Sequence, residues 1–226
     1  IGGAAGVIMG VLNITGLGFG LTLELVSVAG GMLLPLLVLS AVLCIILGMG
    51  MPTTGVYILL ATLVAPSIVE LGVQPMAAHL FVFYYGMMSM ITPPVAIAAF
   101  AAATLAKAPM MRTGFKAVQY GWSAYLIPFL FVFSPSLIMR GEWTTVAFTV
   151  VTALVGVWAV SGSISGYLTS SLSLRARAAF GLLGLGLLIP SDTFPHAMLL
   201  NLASLALLMS LLIGGRFVTV VAKARA

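Results

Sequence analysis

Residues 48–54 read GMGMPTT and combine residue types that interrupt a helix with oxygen atoms that bind small cations. Pro52 has no backbone donor, and the neighbouring glycines let the chain turn sharply. A helix that ends here exposes carbonyl oxygens, and the helix that follows exposes N–H groups near Thr53 and Thr54. Threonine hydroxyls add neutral oxygen ligands. The pattern predicts a turn that binds a hard cation, beside a helix N-terminus that attracts an anion.

A second interruption follows at residues 86–96, which read GMMSMITPPVA. Two adjacent prolines remove two donors from the middle of an apolar run, so the carbonyl groups before them are predicted to lose their helical partners. The groups affected are the carbonyls of Ser89, Met90 and Ile91. Ser89 and Thr92 also bring hydroxyls to the break. The chain resumes after Pro94 as a half-helix whose N-terminus faces the interruption.

Each interruption taken alone is also explained by packing, because a proline kink supported by a nearby Ser or Thr is common in membrane helices. Two interruptions close in sequence favour a transport site, since broken helices hold solute and coupling ions in secondary transporters. A channel or a non-transporting membrane scaffold is the alternative. The chain shows no Ser/His/Asp set, HExxH motif or phosphate-binding loop, so the sequence predicts no enzyme and no resident cofactor.

The composition of the 226-residue chain places these motifs in a membrane. Hydrophobic residues make up 62% and charged residues 6%, with a mean hydropathy of +1.26, whereas a soluble domain carries about a quarter charged residues. Long apolar runs indicate an all-α polytopic membrane protein. The net charge of +5 comes from basic residues scattered between these runs, which is typical of membrane loops and not of nucleic-acid binding.

Polar stretches divide the chain into apolar segments that are predicted to be helices. The segments cover approximately residues 1–20, 32–47, 56–68, 76–105, 115–139, 146–161, 178–189 and 194–213. The predicted loops between them include residues 106–116 (AKAPMMRTGFK) and 175–177 (RAR). The fourth segment contains the double-proline interruption, and the second and third segments flank GMGMPTT.

The segments 32–47 and 56–68 are too short for ordinary membrane spans. A span needs about 20 residues, and a helix rises about 1.5 Å per residue, so the first arm reaches only about 24 Å. Two short arms joined by a helix-breaking turn favour a re-entrant hairpin over residues 32–68. Two ordinary spans would leave the same topology, so the distribution of charge does not distinguish the two arrangements.

Basic residues predict the orientation of the chain by the positive-inside rule. Three groups are assigned to the cytoplasm: Lys107, Arg112 and Lys116; Arg175 and Arg177; and Arg216, Lys223 and Arg225. Arg140 then lies on the far side, which gives a bias of eight to one. A re-entrant hairpin would then enter the membrane from the outside, turn near its middle and return to the outside.

A family resemblance is carried by residues 46–115, which read ILGMGMPTTGVYILLATLVAPSIVELGVQPMAAHLFVFYYGMMSMITPPVAIAAFAAATLAKAPMMRTGF. This stretch resembles the large membrane subunit of tripartite ATP-independent periplasmic (TRAP) transporters. The likeness extends over residues 1–136 and is strongest to the fused permeases that work with TAXI-type solute-binding proteins. Beyond Glu142 it weakens to a general likeness to the additional C-terminal spans of such permeases.

The resemblance implies a fold and a way of working. The family's large subunit is built from two inverted repeats, each with a re-entrant hairpin and a broken helix, and it moves a transport domain against a scaffold as an elevator. Residues 1–140 are expected to form the second repeat. Its hairpin is expected at 32–68 and its broken helix at 76–106. Residues 141–226 are expected to form an extension of transmembrane helices.

The resemblance also implies a function. We expect a permease component of a secondary importer for a small organic anion such as a carboxylate, supplied by a periplasmic solute-binding protein and driven by a Na⁺ gradient. It would lie in the cytoplasmic (inner) membrane of a bacterium or archaeon. The expected Na⁺ ligands are Gly48, Gly50, Thr53, Thr54, Ser89 and Thr92. The expected solute-binding residues are Thr53, Thr54, Thr92, Pro93 and Pro94. Proton coupling and the identity of the solute stay open.

A complete fused permease also contains a first repeat and a small membrane domain ahead of residue 1. Neither is present in this sequence. Since a site at the interface of two repeats would be half missing, we expect this stretch of chain alone not to transport.

Overall fold

The computed structural model describes residues 7, 10–11, 14–168, 171–191, 194 and 196–223, with side chains described except in 17–19 and 214–223. Much of the predicted first segment therefore lies outside the described residues, as do Arg225 and the side chains of Arg216 and Lys223. The chain divides into two compact units, Ile1–Val132 and Phe133–Ala226.

The first unit is built from helices joined by short connections. These are α1 (Leu17–Val28), α2 (Leu33–Gly48), α3 (Thr53–Leu63), α4 (Ala65–Glu70), α5 (Pro75–Met88), α6 (Ile97–Leu105), α7 (Met110–Tyr120) and α8 (Trp122–Phe133), which ends at the boundary. Prolines mark where several of these helices begin. Pro75 occupies the first turn of α5, and Pro52 and Pro109 directly precede α3 and α7. Proline suits these positions since the first N–H groups of a helix have no intrahelical acceptor.

Helix α5 is central to the first unit because it packs against α2, α3 and α4. Phe81 and Val82 of α5 are fully buried, as are Leu37 of α2 and Leu60 of α3. This core holds the ends of α2 and α5 next to each other, and these are the ends that border the two sequence interruptions.

The second unit contains a short 3-10 helix (Pro135–Ile138) and helices α9 (Trp143–Ser165), α10 (Leu174–Leu187) and α11 (Ala197–Lys223). Helices α9 and α10 pack closely through Gly156 and Gly184, since a Cβ built on either glycine lies 2.9 Å from the carbonyl oxygen of the other. Small residues that let backbones approach in this way are typical of helix pairs in membranes.

The described residues are helical and contain no β-sheet, which agrees with the all-α prediction. By length and composition, one helix among them is long and apolar enough to cross a membrane, namely α9. Helices α2 and α3 and the stretch Ala197–Ile213 are apolar but shorter. The inverted repeat, the elevator and the boundary at residue 140 stay predictions.

Two predicted loops are wrong. Residues 110–116 of the predicted loop 106–116 form the beginning of α7, and the stretch 175–177 belongs to the first turns of α10, where the Ser173 hydroxyl accepts a hydrogen bond from the backbone N–H of Ala176 at 3.3 Å. Both segments carry charges, and an average of hydropathy assigns charged segments to loops. A helix with one polar face and one apolar face is therefore not recognised from its average hydropathy.

The predicted segment 115–139 is also not continuous. Helix α7 ends at Tyr120, α8 begins at Trp122, and α8 ends at Phe133 before the 3-10 helix. Gly121 separates the first two, and the stretch Ser134–Pro135 ends α8, because proline cannot continue the hydrogen bonding of a helix.

Candidate functional site

The connection between α2 and α3 consists of the four residues from Met49 to Pro52. Gly50 adopts a φ of +80°, a conformation that favours glycine. The backbone N–H of Val56 donates to the carbonyl of Pro52 at 3.0 Å, which begins the intrahelical bonding of α3. The N–H groups of the preceding residues in α3 therefore point out of its N-terminus without intrahelical acceptors.

Gly48 and Ser89 are brought into direct contact by the packing of α2 against α5. The Ser89 hydroxyl oxygen lies 2.9 Å from the carbonyl oxygen of Gly48 and 2.6 Å from that of Gly86. Ser89 is 1% exposed, and both glycines are buried. A buried cluster of three oxygen atoms thus joins the end of the first hairpin arm to the end of α5.

Two glycines permit this approach. A Cβ built on Gly48 would lie 2.8 Å from the carbonyl oxygen of Gly86, and a Cβ built on Gly86 would lie 2.6 Å from Cγ1 of Val56. Both distances are shorter than any ordinary carbon contact. Helices α2, α3 and α5 therefore converge at a point where only glycine fits at these two positions.

The double-proline break separates α5 from α6, with the residues from Ser89 to Ala96 outside both helices. The backbone N–H of Ala98 donates to the carbonyl of Met90 at 3.0 Å. The Met90 carbonyl has lost its helical partner, since Pro94 has no N–H, and the first turn of α6 supplies a replacement donor that has no acceptor within its own helix. The Pro93–Pro94 peptide bond is cis.

Thr92 is anchored within the break by two hydrogen bonds. Its hydroxyl donates to the carbonyl of Met88 at 2.5 Å and lies 2.7 Å from the hydroxyl of Tyr125 in α8. Since the single proton of Thr92 is directed at Met88, the Tyr125 hydroxyl is the donor in the second bond. The Tyr85 hydroxyl of α5 in turn donates to the carbonyl of Tyr125.

The predicted site residues thus fall into groups with different surroundings. Gly48 and Ser89 are buried and in contact, Thr92 and Pro93 are half-buried, and the rest are exposed. The exposed residues are Gly50, Thr53, Thr54 and Pro94. The hydroxyls of Thr53 and Thr54 make no hydrogen bond with any residue that the structure describes, and none links them to Thr92.

Tyr85 and Tyr125 are the residues of this region that sequence reasoning misses. Tyrosine within apolar runs is typical of packing or of membrane interfaces, and these two could have been singled out only because a buried phenol needs a hydrogen-bond partner. No carboxylate belongs to the region, and no group of three His, Cys, Asp or Glu residues able to hold a metal occurs in the described part of the chain. Any cation bound here would be held by neutral oxygens.

Comparison with known protein families gives a match over most of the chain. Residues 1–146 match a protein-family model described as "Tripartite ATP-independent periplasmic transporter, DctM component". No curated protein and no solved structure matches the chain. The matched range includes both interruptions, the Gly48–Ser89 contact and the Thr92–Tyr125 pair.

Proposed function

Because the chain belongs to the family of the DctM component of tripartite ATP-independent periplasmic transporters, we propose that it is the permease part of a secondary importer that uses a Na⁺ gradient to take up a small organic anion such as a carboxylate. Family membership makes the chain a membrane component of a transporter and implies a periplasmic solute-binding partner. The coupling ion, the class of solute and a partner of the TAXI type belong to the proposal.

The observation that carries the proposal is the oxygen cluster around Ser89. One hydroxyl proton is shared between two carbonyl oxygens at 2.9 and 2.6 Å, so the Ser89 hydroxyl cannot give a full hydrogen bond to both at once. Backbone carbonyls at interrupted helices are the groups that coordinate Na⁺ in secondary transporters. In the proposal, Na⁺ binds the carbonyl of Gly48 and the hydroxyl of Ser89, with further oxygens from Gly50, Thr53, Thr54 and Thr92.

The anionic solute, in this proposal, binds beside the cation at the N-terminus of α3. The N–H groups at a helix N-terminus and the helix dipole attract a carboxylate. Thr53 and Thr54 are exposed and their hydroxyls have no partner among the described residues, so they are available to donate to a carboxylate oxygen. Thr92, Pro93 and Pro94 would form the opposite wall.

The proposed movement follows the resemblance of the chain to elevator transporters. The residues at 32–68 would act as a re-entrant hairpin and those at 76–106 as the broken helix of a second repeat, within a repeat that ends near residue 140. The contact of α2 with α5 supports a hairpin and a broken helix that move as one body. Residues 141–226 would extend the membrane domain.

Uptake into liposomes tests the proposal. The whole protein, reconstituted with its solute-binding protein and labelled small carboxylates, is expected to accumulate solute only with an inward Na⁺ gradient. Thr54→Ala and Thr92→Ala are each expected to raise the Na⁺ concentration that gives half-maximal uptake by about tenfold. Each removes a polar partner worth about 1–1.5 kcal/mol. Thr62→Ala, which removes a hydroxyl bonded within α3 to Ile58 and Leu59, serves as the control.

The outcomes separate the hypotheses. Uptake that is unchanged in both Thr54→Ala and Thr92→Ala rejects the proposed site. Uptake driven by a proton gradient without Na⁺ rejects Na⁺ coupling while leaving the permease function intact. If the solute never accumulates inside the liposomes above its outside concentration, the result indicates the alternative, a channel.

A further inference from the structure

The surface of α7 that points away from the protein suggests a second binding partner. Arg112, Lys116 and Gln119 are exposed and spaced four and three residues apart, so they share one face of the helix. Lys116 donates to the side-chain oxygen of Gln119 at 2.7 Å, which holds the ammonium group on that face. The opposite face is buried at Gly114.

A strip of apolar side chains borders this basic face. Met111 is 47% exposed and Phe115 is 63% exposed, and their spacing of four residues places them side by side. A helix with cationic side chains along one edge and exposed large apolar side chains along the next is suited to lie in the interface of a bilayer.

The region has no acidic residue close to its cations in sequence. The sequence contains no Asp or Glu between Glu70 and Glu142, whereas Lys107, Arg112 and Lys116 lie within ten residues of one another. Lys107 is exposed just after the end of α6. Phospholipid headgroups would complement this positive charge, and they lie at the depth that the apolar strip requires.

We propose that α7 lies in the membrane interface and binds the headgroups of anionic phospholipids through Arg112 and Lys116, with Met111 and Phe115 inserted among the acyl chains. Long basic side chains reach the headgroup while their stems cover apolar surface. The proposal concerns a surface and does not depend on the identity of the solute or of the coupling ion.

The position of α7 connects this surface to the double-proline break. A Cβ built on Gly114 would lie 3.0 Å from Cγ of Pro93 and 3.3 Å from Cε1 of Phe100 in α6. The buried face of α7 is thus in van der Waals contact with the break, while the outer face meets lipid. Anionic lipid bound to α7 would stabilise the arrangement of Pro93 that the structure describes.

Native mass spectrometry of the whole protein tests the proposal by counting bound lipids. The wild type is expected to prefer phosphatidylglycerol over phosphatidylcholine of the same acyl chains. The double variant Arg112→Gln/Lys116→Gln is expected to lose affinity for phosphatidylglycerol by about tenfold or more, since basic residues near the membrane surface are attracted to anionic lipid. Arg140→Gln, which removes another exposed cation, is expected to change nothing.

Further arms keep the test decisive. The charge-preserving variant Arg112→Lys/Lys116→Arg is expected to retain the preference, and unchanged melting temperatures confirm that each variant is folded. Retention of the preference by Arg112→Gln/Lys116→Gln, or an equal loss in Arg140→Gln, overturns the proposal. Displacement of the lipid by millimolar inorganic phosphate also overturns it, because the site would then bind free phosphate.

Discussion

The Ser89 hydroxyl is the residue-scale feature on which the proposed cation site depends. Its bond to Gly86 three residues earlier is an ordinary local bond, but its bond to Gly48 crosses to another helix forty-one residues away in sequence. Ser67 offers a comparison, since it is fully buried and donates to Val64 three residues earlier at 2.6 Å. The two serines differ in that Ser89 also reaches a second carbonyl.

This difference gives a prediction for Na⁺-dependent stability. Ser89→Ala is expected to lower the free energy of unfolding by about 1–3 kcal/mol, because a buried carbonyl loses its donor. Under the proposed function, Na⁺ is expected to raise the melting temperature of the wild type, and Ser89→Ala is expected to abolish that rise. The measurement is thermal unfolding of the detergent-purified protein in NaCl and in choline chloride.

Ser67→Ala is the control for that measurement. It removes a buried serine hydroxyl of the same local geometry, so it is expected to lower stability while leaving the Na⁺-dependent increment unchanged. An increment of wild-type size in Ser89→Ala would show that the hydroxyl has a structural role alone.

At the scale of elements, tyrosine hydroxyls join α8 both to the break and to α5. Tyr125 donates to Thr92, and Tyr85 donates to the backbone of Tyr125. The aromatic rings of this region also pack edge to face, with the Tyr85 and Phe129 centroids 5.9 Å apart. Helix α8 thus adds a side-chain hydrogen bond to an irregular segment whose own N–H groups bond mainly to carbonyls at the end of α5.

Tyr125→Phe is expected to loosen the break without unfolding α8. The ring remains, but Thr92 loses a donor worth about 1 kcal/mol, so amide hydrogen exchange in the residues from Met90 to Ala96 is expected to accelerate about fivefold. Exchange is measured by mass spectrometry. Tyr120→Phe, which alters an exposed tyrosine at the end of α7, should leave that exchange unchanged. Equal acceleration in both variants would contradict a specific role for Tyr125.

The same scale shows what the sequence predicts and where it stops. Both interruptions are predictable, because proline and glycine break a helix through their own backbone and need no distant contact. The structure has α5 ending at Met88 and α3 beginning at Thr53, as the motifs predict. The Thr92–Tyr125 bond is not predictable, since it joins residues thirty-three positions apart and depends on how α8 packs. Helix α7 is not predicted, because hydropathy averaged along its sequence combines its charged and apolar residues and gives no apolar segment.

The Gly48–Ser89 contact lies between these cases. The sequence identifies both residues as candidate ligands from their types alone. Their meeting requires α2 to approach α5, and that approach depends on Gly86 as well, whose closeness to Gly48 the motif 86–96 does not reveal. Whether these residues bind Na⁺ stays a prediction.

At the scale of the whole molecule, the two compact units have separate cores. The proposed site lies in the first unit, whereas α9 and α10 of the second unit pack closely through Gly156 and Gly184. The family match ends at residue 146, near the start of α9. The second unit is therefore expected to contribute stability and not ligands.

Gly156→Ala tests this separation. The added methyl group would lie 2.9 Å from the carbonyl oxygen of Gly184, so the variant is expected to lose about 1–3 kcal/mol of stability through overpacking. Its affinity for Na⁺, measured by binding of radioactive sodium, is expected to stay at the wild-type value. Gly20→Ala provides the control, because a Cβ there meets nothing within 4 Å. Loss of Na⁺ affinity in Gly156→Ala would place a ligand in the second unit.

The close approach of the Gly86 carbonyl oxygen to Gly48 has a genetic consequence. A side chain at this position collides with the main-chain oxygen of Gly86, 2.8 Å from the first carbon that would be added. Every amino acid carries that oxygen, so exchanging residue 86 cannot relieve the collision. Selection for suppressors of a Gly48 mutant should therefore recover reversion to glycine, or distant changes that shift a whole helix, but no compensating allele at the point of contact.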